Sequence, residues 1–321
     1  MSTNRGRSWS GFWGRIPAAV SELPWLSAAE QTRLSWARRV ETYDEVPDLF
    51  RGFFADLAEK ATPFPYAVLT PSYTGFLVNT NEKLLCVLGP DLYILENVGD
   101  RLAVTVYPIA AINDIEFGSV LLKSWITING RTTQGVMTST TVKFNTVTDY
   151  LFAPFVATFR SPMRGSDADD LAAERAKFNH LGKTHFKFMN VAKKNILPGE
   201  HVVQSLLQPN IRSEIVRLFG RSLYRTITPA HIAVLTEHEL IMIRDEEQDF
   251  WGSEAPHGSI KTYIPLDRIT GCSVTDVGKD LFVFTVQFAD DDRFESVFSG
   301  ANRPALDQLV ELLQQRVAVL G

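Results

Sequence analysis

Tyr263-Ile264-Pro265-Leu266-Asp267-Arg268-Ile269 decides how this chain reads, because an earlier copy stands at Tyr107-Pro108-Ile109-Ala110-Ala111-Ile112. Both copies read Pro-apolar-x-x-Ile. In both, an apolar run of strand character begins thirteen residues after the Ile, at Trp125 and at Phe282. A second local match lies upstream of each copy. Val87-Leu88-Gly89-Pro90-Asp91-Leu92-Tyr93-Ile94 parallels Val234-Leu235-Thr236-Glu237-His238-Glu239-Leu240-Ile241, with one residue of turn length between them. A chain of 321 residues has room for two domains at about 150 residues each. The repeat therefore predicts two similar domains in tandem.

Outward from the repeat, periodicity sets the elements. Ser27 and Glu30 form a capping-box pattern ahead of a helix expected over Ser27–Tyr43. Asp48 caps a second helix, Leu49–Lys60, whose apolar face is Leu49, Phe50, Phe53, Phe54 and Leu57. From Tyr66 the period falls to that of strands, with Gly89-Pro90-Asp91 as a turn. Asn129-Gly130 predicts a hairpin turn, since both residues tolerate positive φ. Helices are expected at Tyr150–Arg160, at Leu171–Asn195 (weakened at Gly182), at Asn210–Gly220 and at Pro304–Val319. The last buries Leu306, Leu309, Val310, Leu313 and Val317 as one stripe.

The second half resembles bacterial pleckstrin-homology-like domains, related in fold to the GRAM domain. The residues that carry the resemblance are Leu197-Pro198-Gly199-Glu200, the run Ile232 to Ile243, the Tyr263–Ile269 element and the terminal helix. It covers Leu197–Gly321 well. Tyr66–Arg160 departs from it in lacking the leading Pro-Gly-Glu and in a longer Thr-rich arm, Thr132–Thr141. What the resemblance implies is a mainly β, α+β chain: tandem β-barrels of two curved sheets, each closed by a C-terminal helix. The expected division is a helical region at 1–62, one domain at 63–162, a linker with a basic helix at 163–197 and a second domain at 198–321. These motifs are turns and core positions, so they specify fold rather than ligand.

Composition narrows function by exclusion. A hydrophobic content of 45% with a net charge of −5 fits a globular chain without the basic footprint of a general nucleic-acid binder. Cys86 and Cys272 stand one per repeat, which suits neither a disulfide framework nor a zinc site, and a reduced, cytoplasmic setting is expected. The first fifteen residues carry Arg5, Arg7 and Arg15 with Trp9, Phe12 and Trp13, but not the apolar run of a signal peptide. His180 and His185 are five apart and do not share a helical face as a metal pair would. The run Asp290-Asp291-Asp292 reads as a hairpin turn. Phosphate-loop, nucleophile-elbow and zincin motifs do not occur. The expectation is a non-catalytic protein with no cofactor and no metal.

Two binding readings remain. In the first, the protein is a scaffold that holds another protein, with Phe250 and Trp251 beside the acidic run Asp245–Asp249 as candidate docking residues. In the second, it sits on the inner face of a membrane through anionic headgroups. The candidates there are Lys193 and Lys194 on the basic helix, and Arg212, Arg217, Arg221 and Arg225 after the first strand of the second domain. The resemblance places phosphate-holding residues beside that strand in phosphoinositide-binding relatives, although the usual basic pair on the strand is absent here. Against this reading, Gly199–Gly321 carries 11 basic and 18 acidic residues, a balance that repels an anionic surface unless the charges segregate.

Overall fold

The computed structural model describes residues 36–58, 64–75, 78–99, 101–160, 168–218, 221–246, 258–289 and 292–320. Two compact units divide the chain: residues up to Val106 with Val142–Leu151, and Tyr107–Thr141 with Phe152 onward.

In the first unit, β1 (Arg38–Val40) precedes helix α1 (Asp48–Ala58). Strands β2 (Tyr66–Thr70), β3 (Tyr73–Gly75), β4 (Val78–Thr80), β5 (Lys83–Leu88), β6 (Asp91–Val98) and β7 (Arg101–Pro108) follow. The main sheet runs β1-β2-β5-β6-β7, and β3-β4 is a separate hairpin. Phe50 and Phe54, one helical turn apart, are fully buried against Ala67, Leu84, Cys86 and Leu95. The turn between β5 and β6 is the expected one, with Gly89 at φ +60. The helix expected over Ser27–Tyr43 is corrected where it can be seen. Arg38–Val40 is a strand, paired antiparallel with β2 at the edge of the sheet, so pairing with a distant segment overrides the local helical period.

The second unit holds β8 (Ile112–Val120), β9 (Lys123–Arg131) and β10 (Met137–Asn145), whose last residues return to the first unit. Helices α2 (Ala153–Arg160), α3 (Ala168–Ala176) and α4 (Phe186–Asn195) come next. Then come β11 (Val202–Gln208), β12 (Ile211–Leu218), β13 (Arg221–Thr228), β14 (His231–Thr236), β15 (Glu239–Arg244) and β16 (Gly258–Pro265). The chain closes with β17 (Gly271–Gly278), β18 (Leu281–Gln287), β19 (Arg293–Ser299) and α5 (Arg303–Leu320). The large sheet runs β10-β9-β8-β16-β15-β14-β11, beside a three-stranded sheet β17-β18-β19 and a ribbon β12-β13. Strands from both sequence repeats thus share one sheet. Their seam is β8 against β16, antiparallel from Gly258 opposite Val120 to Tyr263 opposite Ile115.

The molecule is mainly β with several antiparallel sheets, and among the described residues none closes into a barrel. Leu306, Leu309 and Leu313 of α5 are fully buried against Phe284, Val286 and Phe298 of the small sheet and Leu235, Leu240 and Met242 of the large one. The repeated element takes the same form twice. Each Pro leads a 3-10 turn, Ile109–Ala111 or Leu266–Arg268, closed by the N–H of Ile112 or Ile269.

Four sequence expectations are corrected. The strand after each repeated element starts almost at once, as β8 and β17, rather than at Trp125 and Phe282. Polar and small residues in Ile112–Val120 and Gly271–Gly278 hide the alternation. Asn129-Gly130 lies inside β9, and the turn is at Thr132–Gly135, with Gly135 at φ +78. Gly130 serves a close approach instead: a Cβ there would stand 2.6 Å from the Ala111 carbonyl oxygen. The helix expected at Asn210–Gly220 is β12, because bulges at Ile211/Arg212 and Glu214/Val216 disturb the strand period into one that mimics a helix. The long basic helix is broken into α3 and α4 by a 3-10 turn at Asn179–Lys183. A Cβ at Gly182 would stand 3.1 Å from the Met189 sulfur.

Candidate functional site

Register places four polar side chains on one face of the large sheet. Asp114 and Glu116 are two apart on β8, opposite Asn129 and Thr127 of β9. Their neighbours Ile115, Ile126 and Ile128 turn to the other face and are buried. Thr262 of β16 joins across the seam, opposite Glu116. Met137, Thr138 and Ser139 from β10 and Asp292, Arg293 and Phe294 from the start of β19 complete an open cleft of about 490 Å³.

Hydrogen bonds fix most of its polar groups. The Trp125 indole donates to Glu116 Oε1 at 2.7 Å, and Arg244 pairs with Glu116 Oε2 at 3.0 Å. Asn113 Nδ2 donates to Asp292 Oδ2 at 2.7 Å, and Arg293 pairs with Glu295. Asp114, only 5% exposed, accepts from Asn129 Nδ2 at 2.8 Å through Oδ1. Burial pushes the Asp114 carboxyl up to about 7, the Asn129 bond pulling against it and the Asp292 and Glu116 carboxylates adding to it. The sequence reading missed this site. Its only signal was Asn113-Asp114-Ile115-Glu116, acids two apart in a stretch that hides its own alternation.

The residues singled out from sequence lie elsewhere. Lys193 and Lys194 are in the last turn of α4, where cations favour the carbonyl end of the dipole; Lys193 donates to Asn179 Oδ1. Arg212, Arg217, Arg221 and Arg225 all lie on the β12-β13 ribbon, each opposite a residue other than arginine, with Leu218 opposite Arg221 and Ser213 opposite Arg225. Arg212 and Arg225 are exposed. Phe250 and Trp251 lie outside the described residues. Cys86 and Cys272 are free thiols, and burial pushes Cys86 up to about 12, which leaves it unreactive.

A second polar group is structural. Arg160, at the end of α2, donates through Nε to both Glu239 oxygens at 2.9 and 3.1 Å and through Nη2 to the Asn195 carbonyl at 2.7 Å. It also pairs with Glu200 and lies over the Tyr263 ring at 4.4 Å. Glu200 in turn accepts from the Leu197 backbone and from Thr236, behind Gly199 at φ +83. The Leu197-Pro198-Gly199-Glu200 motif therefore works as a buried loop anchor. Both glutamates are 3–4% exposed, and neither lines the cleft.

No protein-family model and no curated protein matches the chain. No helix among the described residues is long and apolar enough to cross a membrane.

Proposed function

We propose that the protein is a non-catalytic binding or scaffold protein built on tandem pleckstrin-homology-like units, and that its partner is another protein. The observation that carries this reading is the open polar cleft on the β8-β9-β16 face. Its donors and acceptors are set on neighbouring strands, which hold a binding geometry better than loops do. The core that α5 shares with two antiparallel sheets supports the pleckstrin-homology-like part. A photo-reactive amino acid at Ser139, on the cleft rim, tests it in cells. Cross-linked polypeptide at this position, absent when the group is moved to exposed Asp307 on α5, is the expected result; adducts with lipid alone would overturn it.

A second reading, peripheral membrane binding, is favoured by the four arginines that one ribbon, β12-β13, carries. Each cation adds about 1 kcal/mol near an anionic surface, and salt screens it over about 10 Å. Sedimentation with anionic vesicles at low salt, lost on reversing Arg217 and Arg221 to Glu, is its expected signature. No sedimentation of the unaltered protein would remove it.

A further inference from the structure

We propose that the cleft binds an organic cation, a guanidinium or alkylammonium group, with Asp114 as its buried anchor. This rests on the reading of the cleft as a binding site and names the chemistry it takes.

The anchor is singled out by what its neighbours already have. Glu116 is met by an indole N–H and a guanidinium. Asp292 receives the Asn113 amide and the Arg293 backbone N–H. Asp114 has one donor among the described residues, Asn129 on Oδ1, while an ionised carboxylate accepts about four. Its second oxygen meets no donor among the described residues and is not sealed from solvent, so it is open to the cleft that the residue lines. A carboxylate held in a mostly buried place with one oxygen open to the cleft is best met by a charged donor.

The rest of the cleft suits a cation on a stem. Three carboxylates and one guanidinium, that of Arg293, border it, so the lining is acidic on balance. Thr127, Thr138, Ser139 and Thr262 offer hydroxyl acceptors for further N–H groups, and Met137 and Phe294 offer apolar surface for methylenes. A metal ion is a poorer match: no group of three His, Cys, Asp or Glu among the described residues is placed to hold one.

Titration adds a signature. The charged groups facing Asp114 are Glu116 on its own strand, Asp292 and Arg293 from the start of β19, and Arg244 of β15 behind Glu116. The facing residues of β9, β10 and β16 are uncharged. A bound cation favours the ionised carboxyl, so binding below pH 7 expels a proton. Affinity then rises with pH, by roughly tenfold per unit below the carboxyl's own midpoint and flattening above it.

Calorimetric titration of the full chain with N-acetyl-arginine methylamide, its uncharged citrulline analogue and spermidine tests this. Expected are binding of at least one cation, about tenfold tighter at pH 8 than at pH 6, no binding of the citrulline analogue, and loss on Asp114→Asn. That variant keeps the acceptor for Asn129, and its circular dichroism should match the unaltered protein. Equal binding of the citrulline analogue, retention in Asp114→Asn, or no cation bound at millimolar concentration would each overturn the proposal. The wild-type comparison of arginine with citrulline decides the matter even if the variant misfolds. Spermidine bound without the arginine compound identifies a free amine rather than a partner side chain, and upholds the cation site. Cross-linking of polypeptide at Ser139 without cation binding upholds the protein-binding reading and sinks this one.

Discussion

The β8-β9 hairpin and the β17-β18 hairpin follow the same repeated element, yet they have opposite surroundings. β8 is interior to its sheet, paired on both sides, and seven of its nine residues are buried. β17 is an edge strand with no buried residue. The turns differ as well. β17 and β18 are joined by Lys279-Asp280, both at positive φ, polar residues at a tight turn. β8 and β9 are joined by Leu121-Leu122, 66% and 67% exposed, with Leu121 at φ +53. One local code has thus served two roles. In the second copy it leaves the strand free to shelter α5, and in the first it supplies the seam with β16 and the floor of the cleft.

The helices that follow the two hairpins extend the contrast, and breaking each gives the largest effects. α2 ends in the buried Arg160 group, whereas the buried face of α5 is a stripe of leucines, Leu306, Leu309 and Leu313. Arg160→Ala strands two buried glutamates and should cost about 3–5 kcal/mol in urea unfolding. Leu313→Ala removes a fully buried leucine and should cost about 2–5 kcal/mol. An unshifted midpoint in either would mean that the helix does not depend on the contact described.

The interior position of β8 is sharpened by Gly118. A Cβ there would stand 2.1 Å from the Trp125 ring, so Gly118→Ala should cost about 1–3 kcal/mol. Alanine at exposed Thr275 of β17 should change stability by no more than about 0.5 kcal/mol. Equal effects would erase the distinction between the strands.

Asp114 gives a pH test. Its carboxyl is raised to about 7 in the folded chain, above its ordinary range near 4, so between those values the folded state holds more protons than the unfolded. Stability from this group is therefore present at about pH 4 and falls as pH rises toward 7. Asp114→Asn should raise the thermal midpoint at pH 8 more than at pH 5; an equal effect at the two pH values would place the carboxylate in solvent. The smallest effect is at the turn. Leu121→Gly with Leu122→Asn places glycine at the position of positive φ, as a two-residue hairpin of this kind favours, and should stabilise by up to about 1 kcal/mol, read by thermal melting. No gain would show that the leucines are held by contacts of their own.

Much of the frame was legible in the chain. The repeated Pro-apolar-x-x-Ile element, the Gly89 turn, α1 and the leucine stripe of α5 follow from φ restriction and apolar period, which act over a few residues. Strand pairing between distant segments has no such local signal. Nothing within Ile112–Val120 shows that β16 will lie beside it, so nothing marks out Asp114 and Glu116 until the seam forms. The arginines of β12 and β13 were visible as charges, but bulges disguised their strands.

By itself the sequence determined the repeat, the mainly β class and the two core faces that α1 and α5 bury. These depend on backbone sterics and side-chain periodicity within single elements. The tertiary structure alone decided that strands from both repeats join in one sheet, and that Asp114 sits buried beside Asn129 in the cleft. Both depend on which strands meet, and burial, which sets the state of that carboxyl, is a property of the surroundings rather than of the residue.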